Sequence, residues 1–135
     1  MKHKLVLFEL SKLKEHEETD EKHVRELVEE ISSKNAFTTA IVVDKDMKII
    51  LDGHHRFNAA KRLHLRTIPC LLVDYLNDKN VSVESRRQIR VSKNLVVQKV
   101  LEEKKYPKKT TRHLYQNKPI GEFTSSVFYS LEELK

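Results

Sequence analysis

Apolar residues along the chain fall into short runs separated by charged stretches, and the spacing within the runs alternates between strand and helix periods. "LVLFEL" predicts an opening strand, and the polar connection "SKLKEHEET" that follows carries no periodicity. In "DEKHVRELVEEIS", Val24, Leu27, Val28 and Ile31 recur at i, i+3, i+4 and i+7, which predicts an amphipathic helix with Asp20 as N-cap and Glu21 in its first turn. "AIVVD" and "KIILD" are β-branched runs joined by Lys45, Asp46 and Met47, a hairpin whose second strand ends on Asp52 and Gly53. From His54 or His55 to Leu63 the residues favour a helix with Phe57, Ala60 and Leu63 facing inward, and "TIPCLLVDY" returns as a buried strand. "NVSVESRRQIRV" reads as extended or irregular. Ser92 then caps a helix through Lys105 with Val96, Val97, Val100 and Leu101 as its apolar stripe. Tyr106-Pro107 ends it, since the residue before a proline resists the helical region. "KKTTRH" follows as a basic loop, and "SSVFYSLEEL" as one more strand plus a terminal turn. This order predicts a single small α+β domain over residues 1–135, with a mixed β-sheet and about three helices.

Composition narrows the class. With 39% hydrophobic residues among 135, one modest core is expected and no second one. The longest apolar runs are four to six residues and no charged-then-apolar leader is visible, so neither membrane association nor secretion is expected. A single cysteine, Cys70 in "IPCLLV", is expected to be a buried strand residue, in keeping with a reducing cytoplasm. The net charge of +6 is uneven: residues 1–52 hold nine Lys/Arg against twelve Asp/Glu, whereas residues 86–113 hold ten Lys/Arg against only Glu102 and Glu103. The basic half calls for an anionic partner, and charge alone does not choose among nucleic acid, a nucleotide and a small phosphorylated metabolite.

The chemistry concentrates in "LDGHHRFNAAKRL". Asp52 closes a strand, Gly53 turns the chain, and His54, His55 and Arg56 start a helix. Free N–H groups, the helix dipole and cationic side chains can converge there on a phosphate, with Arg56 making a forked contact. Asp52 is wrong for a phosphate but right for a Mg²⁺ that bridges phosphate oxygens, so the combination favours nucleotide plus metal over a bare anion. Thr110, Thr111, Arg112 and His113 in "KKTTRH" form a second polar constellation, which taken alone is a solvated basic loop. Glu17, in "EHEET", is on its own an ordinary surface glutamate. A metal site from His16, His54, His55 and His113 lacks H-x₃-H spacing.

Together these stretches resemble a known family. "ILDGHHRFNAAKRLHLRTIPCLLVDY" is similar to the core of the ParB/sulfiredoxin superfamily, and "DGHHR" with the downstream "PKKTTRH" and the upstream "HE" dipeptide resembles its free serine kinase branch. The resemblance spans nearly the whole chain and implies phosphoryl transfer from ATP or ADP to free L-serine, with Mg²⁺. Glu17 then matches the general base, grouped with Asp52 and His55 as the catalytic set. Gly53, His54, His55 and Arg56 match the residues that hold nucleotide phosphates, Asp52 the metal ligand, and Thr110, Thr111, Arg112 and His113 the loop that closes on phosphate and product. L-Serine and an adenine nucleotide are the partners implied, with no nucleic acid and no membrane; oligomeric state is not readable. The chain departs from longer members by a shorter connection after "VDY", by having no tryptophan, and by carrying Ser82, Glu84 and Arg86 where some members place aromatics. The alternative is a ParB-like CTP-binding, DNA-partition or regulatory module without kinase activity. It would share the core, but its arginine-rich box here reads Gly53-His54-His55-Arg56 and no helix-turn-helix is expected after it. A sulfiredoxin-type reductase would need a cysteine where this motif has histidine.

Overall fold

The computed structural model describes residues 3–124 and 126–135. Its elements are β1 (Leu5–Glu9), α1 (Glu21–Lys34), β2 (Ala36–Thr39), β3 (Ile41–Asp44), β4 (Ile50–Asp52), α2 (His54–Arg62), β5 (Thr67–Val73), β6 (Val81–Ser85), α3 (Lys93–Leu101), β7 (Thr111–Tyr115), β8 (Lys118–Pro119), β9 (Ser126–Ser130) and α4 (Leu131–Leu134). A mixed sheet in the order β1-β5-β3-β4 forms the centre: β1 and β4 run antiparallel to their neighbours, whereas β3 and β5 are parallel. Parallel neighbours need a long crossover, and here β4 and α2 supply it. This arrangement leaves the start of α2 beside the end of β4.

The mixed sheet and small α+β class agree with the sequence-based expectation. The expectation of a single core does not, because successive residues of a strand point to opposite faces and both faces here are covered. Ile41, Val43, Ile50 and Cys70 pack with Val24, Ile31, Phe57 and Leu134 on one side. Val42, Ile49, Leu51 and Val73 pack with Tyr75, Val96, Tyr106 and Ile120 on the other.

Helix α1 begins as expected, with the Asp20 carboxylate accepting from the Lys22 N–H, and stops at Asn35 in the left-handed region. Ser92 caps α3 by accepting from the Leu95 N–H, but the helix ends at Leu101 rather than Lys105. Glu102 to Lys105 offer no apolar side chain to bury in a further turn, and Glu103 takes a left-handed turn with φ 55°. Two further sheets were not expected. In one, β9 pairs with β2; Ser125, the first residue of the predicted terminal strand, lies outside the described residues. In the other, β7 pairs with β6 and β8, so the second half of "KKTTRH", Thr111 to His113, is strand and not loop. A fourth helix of one turn follows β9 and is closed by a capping box between Ser130 and Glu133. Among the described residues, no helix is long and apolar enough to cross a membrane.

Candidate active site

Both glycines of the chain meet Asp52. Gly53 takes φ 108° as the N-cap of α2, and a Cβ built on it would lie 2.3 Å from Ile41 Cγ2, so only glycine turns the chain this tightly against β3. No side chain caps α2, which leaves its first-turn N–H groups for a ligand. Gly121 approaches from the far end of the chain, where an added Cβ would stand 2.8 Å from Asp52 Oδ2. The same oxygen accepts from Arg56 Nη2 at 3.1 Å, one helical turn on. His55 is half-buried: its Nε2 accepts from the Asp20 N–H at 3.0 Å and its ring lies against His23 with centroids 4.3 Å apart. Burial, with the neighbouring His23, keeps its pKa below the ordinary value.

The aperiodic connection after β1 is buried at Leu13, His16 and Glu17, although its sequence is polar. It threads between the β3–β4 hairpin and Tyr106: the Lys14 N–H donates to Lys48 O, the Ile50 N–H to Lys14 O, and the Tyr106 N–H to His16 O. Glu17 is therefore only 6% exposed. Its Oε1 accepts from the Thr111 N–H at 2.7 Å, the Thr111 hydroxyl at 2.7 Å and the Thr110 N–H at 3.2 Å. Its Oε2 has Arg86 Nη2 at 4.0 Å. Three donors on one oxygen of a carboxylate fix its orientation.

Two of the histidines expected to meet phosphate face the interior. His54 Nε2 accepts from the His16 N–H at 3.2 Å, and the two rings stack edge-on with centroids 4.6 Å apart. His113 is bonded through Nε2 to the Tyr75 hydroxyl at 2.8 Å and faces His16 from the other side at 5.5 Å. Desolvation holds both well below the ordinary histidine pKa, and His16 down to about 4, so burial favours the neutral imidazole in all three. Among the described residues they do not bring ligand atoms together as a metal site. Arg112 is the third departure. Strand β7 alternates, so Thr111 and His113 turn inward while Arg112 turns to solvent and pairs with Glu84 on β6. Thr110 uses its hydroxyl internally, donating to Pro107 O at 2.6 Å, and offers Glu17 its N–H instead.

What the fold does bring together is Glu17, Thr111, Asp52, Gly53, His54, His55 and Arg86, around a cavity of about 110 Å³. A second cavity of about 330 Å³ lies on the other side of the α2 start, lined by Arg56, His23, Leu27 and Thr39 in addition to the Asp52–His55 turn. The first has the size and polarity for a transferring group, the second the room for a larger anionic ligand. Asp52 can hold a Mg²⁺ that already carries phosphate oxygens, since such an ion needs only one or two protein carboxylates. Gly121 belongs to this neighbourhood and escaped the sequence reading, which had named His16 only in an unfavoured metal site and Arg86 only as a departure from the family pattern. Gly121 had a signal, as one of two glycines in the chain; Arg86 and His16 sit in polar stretches that look like solvated loop.

Residues 3–89 match the family model for the ParB N-terminal domain. That span includes Glu17 and the Asp52–Arg56 turn, while Thr110 and Thr111 lie beyond it. An ATP-dependent L-serine kinase from Desulfurococcus mucosus is 45% identical over 76 residues, covering 53% of this chain and 30% of that protein. An ADP-dependent L-serine kinase from Thermococcus kodakarensis is 31% identical over 77 residues, covering 54% of this chain and 32% of that protein. The matches thus span about a third of the length of these curated relatives. In three dimensions the whole chain superposes on a free serine kinase in complex with AMP, with a TM-score of 0.81 over 95% of that chain at 17% identity, a likeness of fold.

Proposed function

The chain belongs to the ParB N-terminal domain family, and from that premise we propose that it transfers a phosphoryl group from an adenine nucleotide, ATP or ADP, to the hydroxyl of free L-serine, giving O-phospho-L-serine. The observation that carries this reading is the Glu17 carboxylate: one oxygen held by Thr110 and Thr111, the whole group lining a small cavity with Asp52 and the uncapped start of α2. A general base must be oriented and must sit where its substrate's proton arrives. Relatives named as ATP- and ADP-dependent L-serine kinases support the substrate and leave both donors open.

In this reading the first-turn N–H groups of α2 and the Arg56 guanidinium receive nucleotide phosphates, and Asp52 is the residue that would hold Mg²⁺. The ion's chemistry would be to neutralise charge on the phosphate oxygens. His55, neutral and anchored to Asp20, shapes the wall between the two cavities. Arg86 supplies positive charge opposite Glu17, where the transferred group gathers negative charge. Glu17 orients the serine hydroxyl and accepts its proton through Oε2, since Oε1 already has three donors. Phosphoryl transfer demands mostly positioning and charge neutralisation, and the site supplies these parts.

The test is a donor screen: purified protein with Mg²⁺, L-serine and each of ATP, ADP, GTP and CTP, followed by ³¹P NMR. Phosphoserine formed from an adenine nucleotide by the wild type and absent with Glu17→Ala is the expected result. Binding or slow hydrolysis of CTP with no phosphoserine from any donor would replace the kinase reading with a CTP-dependent module.

A further inference from the structure

Behind Glu17 lies a side chain that the proposed chemistry does not use. His16 is completely buried, its carbonyl accepts from the Tyr106 N–H at 2.8 Å, and its own N–H donates to His54. Its ring is flanked edge-on by His54 and His113. Held in this way, the ring brings Nε2 to 3.0 Å from Thr111 Oγ1, the same oxygen that stands 2.7 Å from Glu17 Oε1.

The direction of these bonds follows from the donor inventory. A hydroxyl has one proton and two lone pairs, and a carboxylate only accepts. The Thr111 proton is therefore committed to Glu17, and the contact with His16 requires the ring to donate from Nε2. The imidazole is then the neutral Nε2–H tautomer, with Nδ1 bare. Nδ1 makes no hydrogen bond of full geometry; the Ile50 backbone is the ring's other polar neighbour, and a main-chain group of β4 gives a proton no route onward. A proton relay is thereby disfavoured and an orienting role is left.

We propose that His16 is a positioning residue for Glu17: its Nε2–H, acting through the Thr111 hydroxyl, locks the carboxylate so that Oε2 and not Oε1 meets the acceptor. The inference rests on the reading of Glu17 as general base. Without the His16 donor, the Thr111 hydroxyl has a free lone pair at a buried position and loses one of the two bonds that set its torsion. Glu17 then keeps all three donors, but the hydroxyl among them is held less firmly, and the plane of the carboxylate is less sharply defined. Burial holds the imidazole neutral down to a pH of about 4, so the donor persists unchanged through the range in which such an enzyme would be assayed.

Two variants and one spectrum separate this role from core filling. His16→Phe keeps an aromatic ring, somewhat larger, in the edge-on contacts but removes the N–H, whereas His16→Gln restores a donor near the position of Nε2. We expect kcat to fall about tenfold in His16→Phe, equivalent to ~1.4 kcal/mol of transition-state positioning, with KM for nucleotide and serine within about twofold of wild type, and most of the loss to return in His16→Gln. Equal losses in both variants, or a loss carried by KM alone, would overturn the proposal. Independently of turnover, ¹⁵N-edited NMR of the imidazole at neutral pH should report the Nε2–H tautomer, and an Nδ1–H tautomer would overturn it as well. Failure of the wild type to make phosphoserine with every donor would reject the kinase reading instead, with the tautomer still deciding the hydrogen-bond chain.

Discussion

Gly53→Ala puts the geometry of the site to its most direct test. The residue holds φ 108°, and a Cβ placed there would stand 2.3 Å from Ile41 Cγ2 and 2.8 Å from Ile41 Cβ. Ile41 is fully buried in a central strand and β-branched, so the clash falls on atoms anchored to backbone and not on a flexible tip. An L-residue forced into the left-handed region costs roughly 1–2 kcal/mol, and overpacking a tight core a further ~1–3 kcal/mol. The sum, about 2–5 kcal/mol, corresponds to a fall in Tm on the order of 8–20 °C for a chain of this size. Gly121→Ala is the control. Its Cβ would meet Asp52 Oδ2 at 2.8 Å, but that carboxylate can swing away, so stability should drop by less than about 1 kcal/mol. Urea unfolding of both variants beside wild type measures the difference, and nucleotide titration of Gly121→Ala reads the displaced Asp52. A Gly53→Ala protein within about 0.5 kcal/mol of wild type would refute the claim that this turn must be glycine.

Three further outcomes follow from the placement of particular side chains. Arg112→Ala should leave turnover and nucleotide affinity within about twofold and stability within ~1 kcal/mol, because its pair with Glu84 faces solvent; enzyme assay and calorimetric titration check this. Stability should fall with acid. His16 is neutral in the fold with a pKa near 4 against an ordinary 6.5, so the unfolded chain takes up the proton first and the loss begins as pH drops below 6.5. His16 alone costs about 2 kcal/mol at pH 5 by linkage, with His54 and His113 shifted in the same direction, and a denaturation midpoint unchanged from pH 7.5 to 5 would contradict it. Cys70, fully buried with its thiol pushed up to about 12, should resist a thiol-specific chromogenic reagent until the protein is unfolded, and rapid labelling of the native protein would show that β5 is not closed over it.

The sequence by itself determined the parts whose physics is local. A period of 3.6 with Asp20 at its start is sufficient for α1, β-branched runs are sufficient for the β3–β4 hairpin, and an aspartate and a glycine at the junction of strand and helix locate the turn before any contact is known. Only the tertiary structure decided which way the remaining side chains face. The His54 and His113 rings lie in the interior because α2 and β7 pack their inner faces against the segment carrying His16, and no spacing within a single element records that. Arg112 was lost to solvent once β7 paired with β6, because a strand's alternation sends neighbours to opposite faces whatever their chemistry. Glu17 shows the difference most clearly. Its sequence context is that of a solvated loop, and it becomes a buried, three-donor carboxylate because chain 93 and 94 residues away supplies Thr110 and Thr111 as its partners. Local sequence encodes the propensity of a segment, whereas burial and hydrogen-bond partners are properties of the surfaces that meet it, and those surfaces come from elsewhere in the chain.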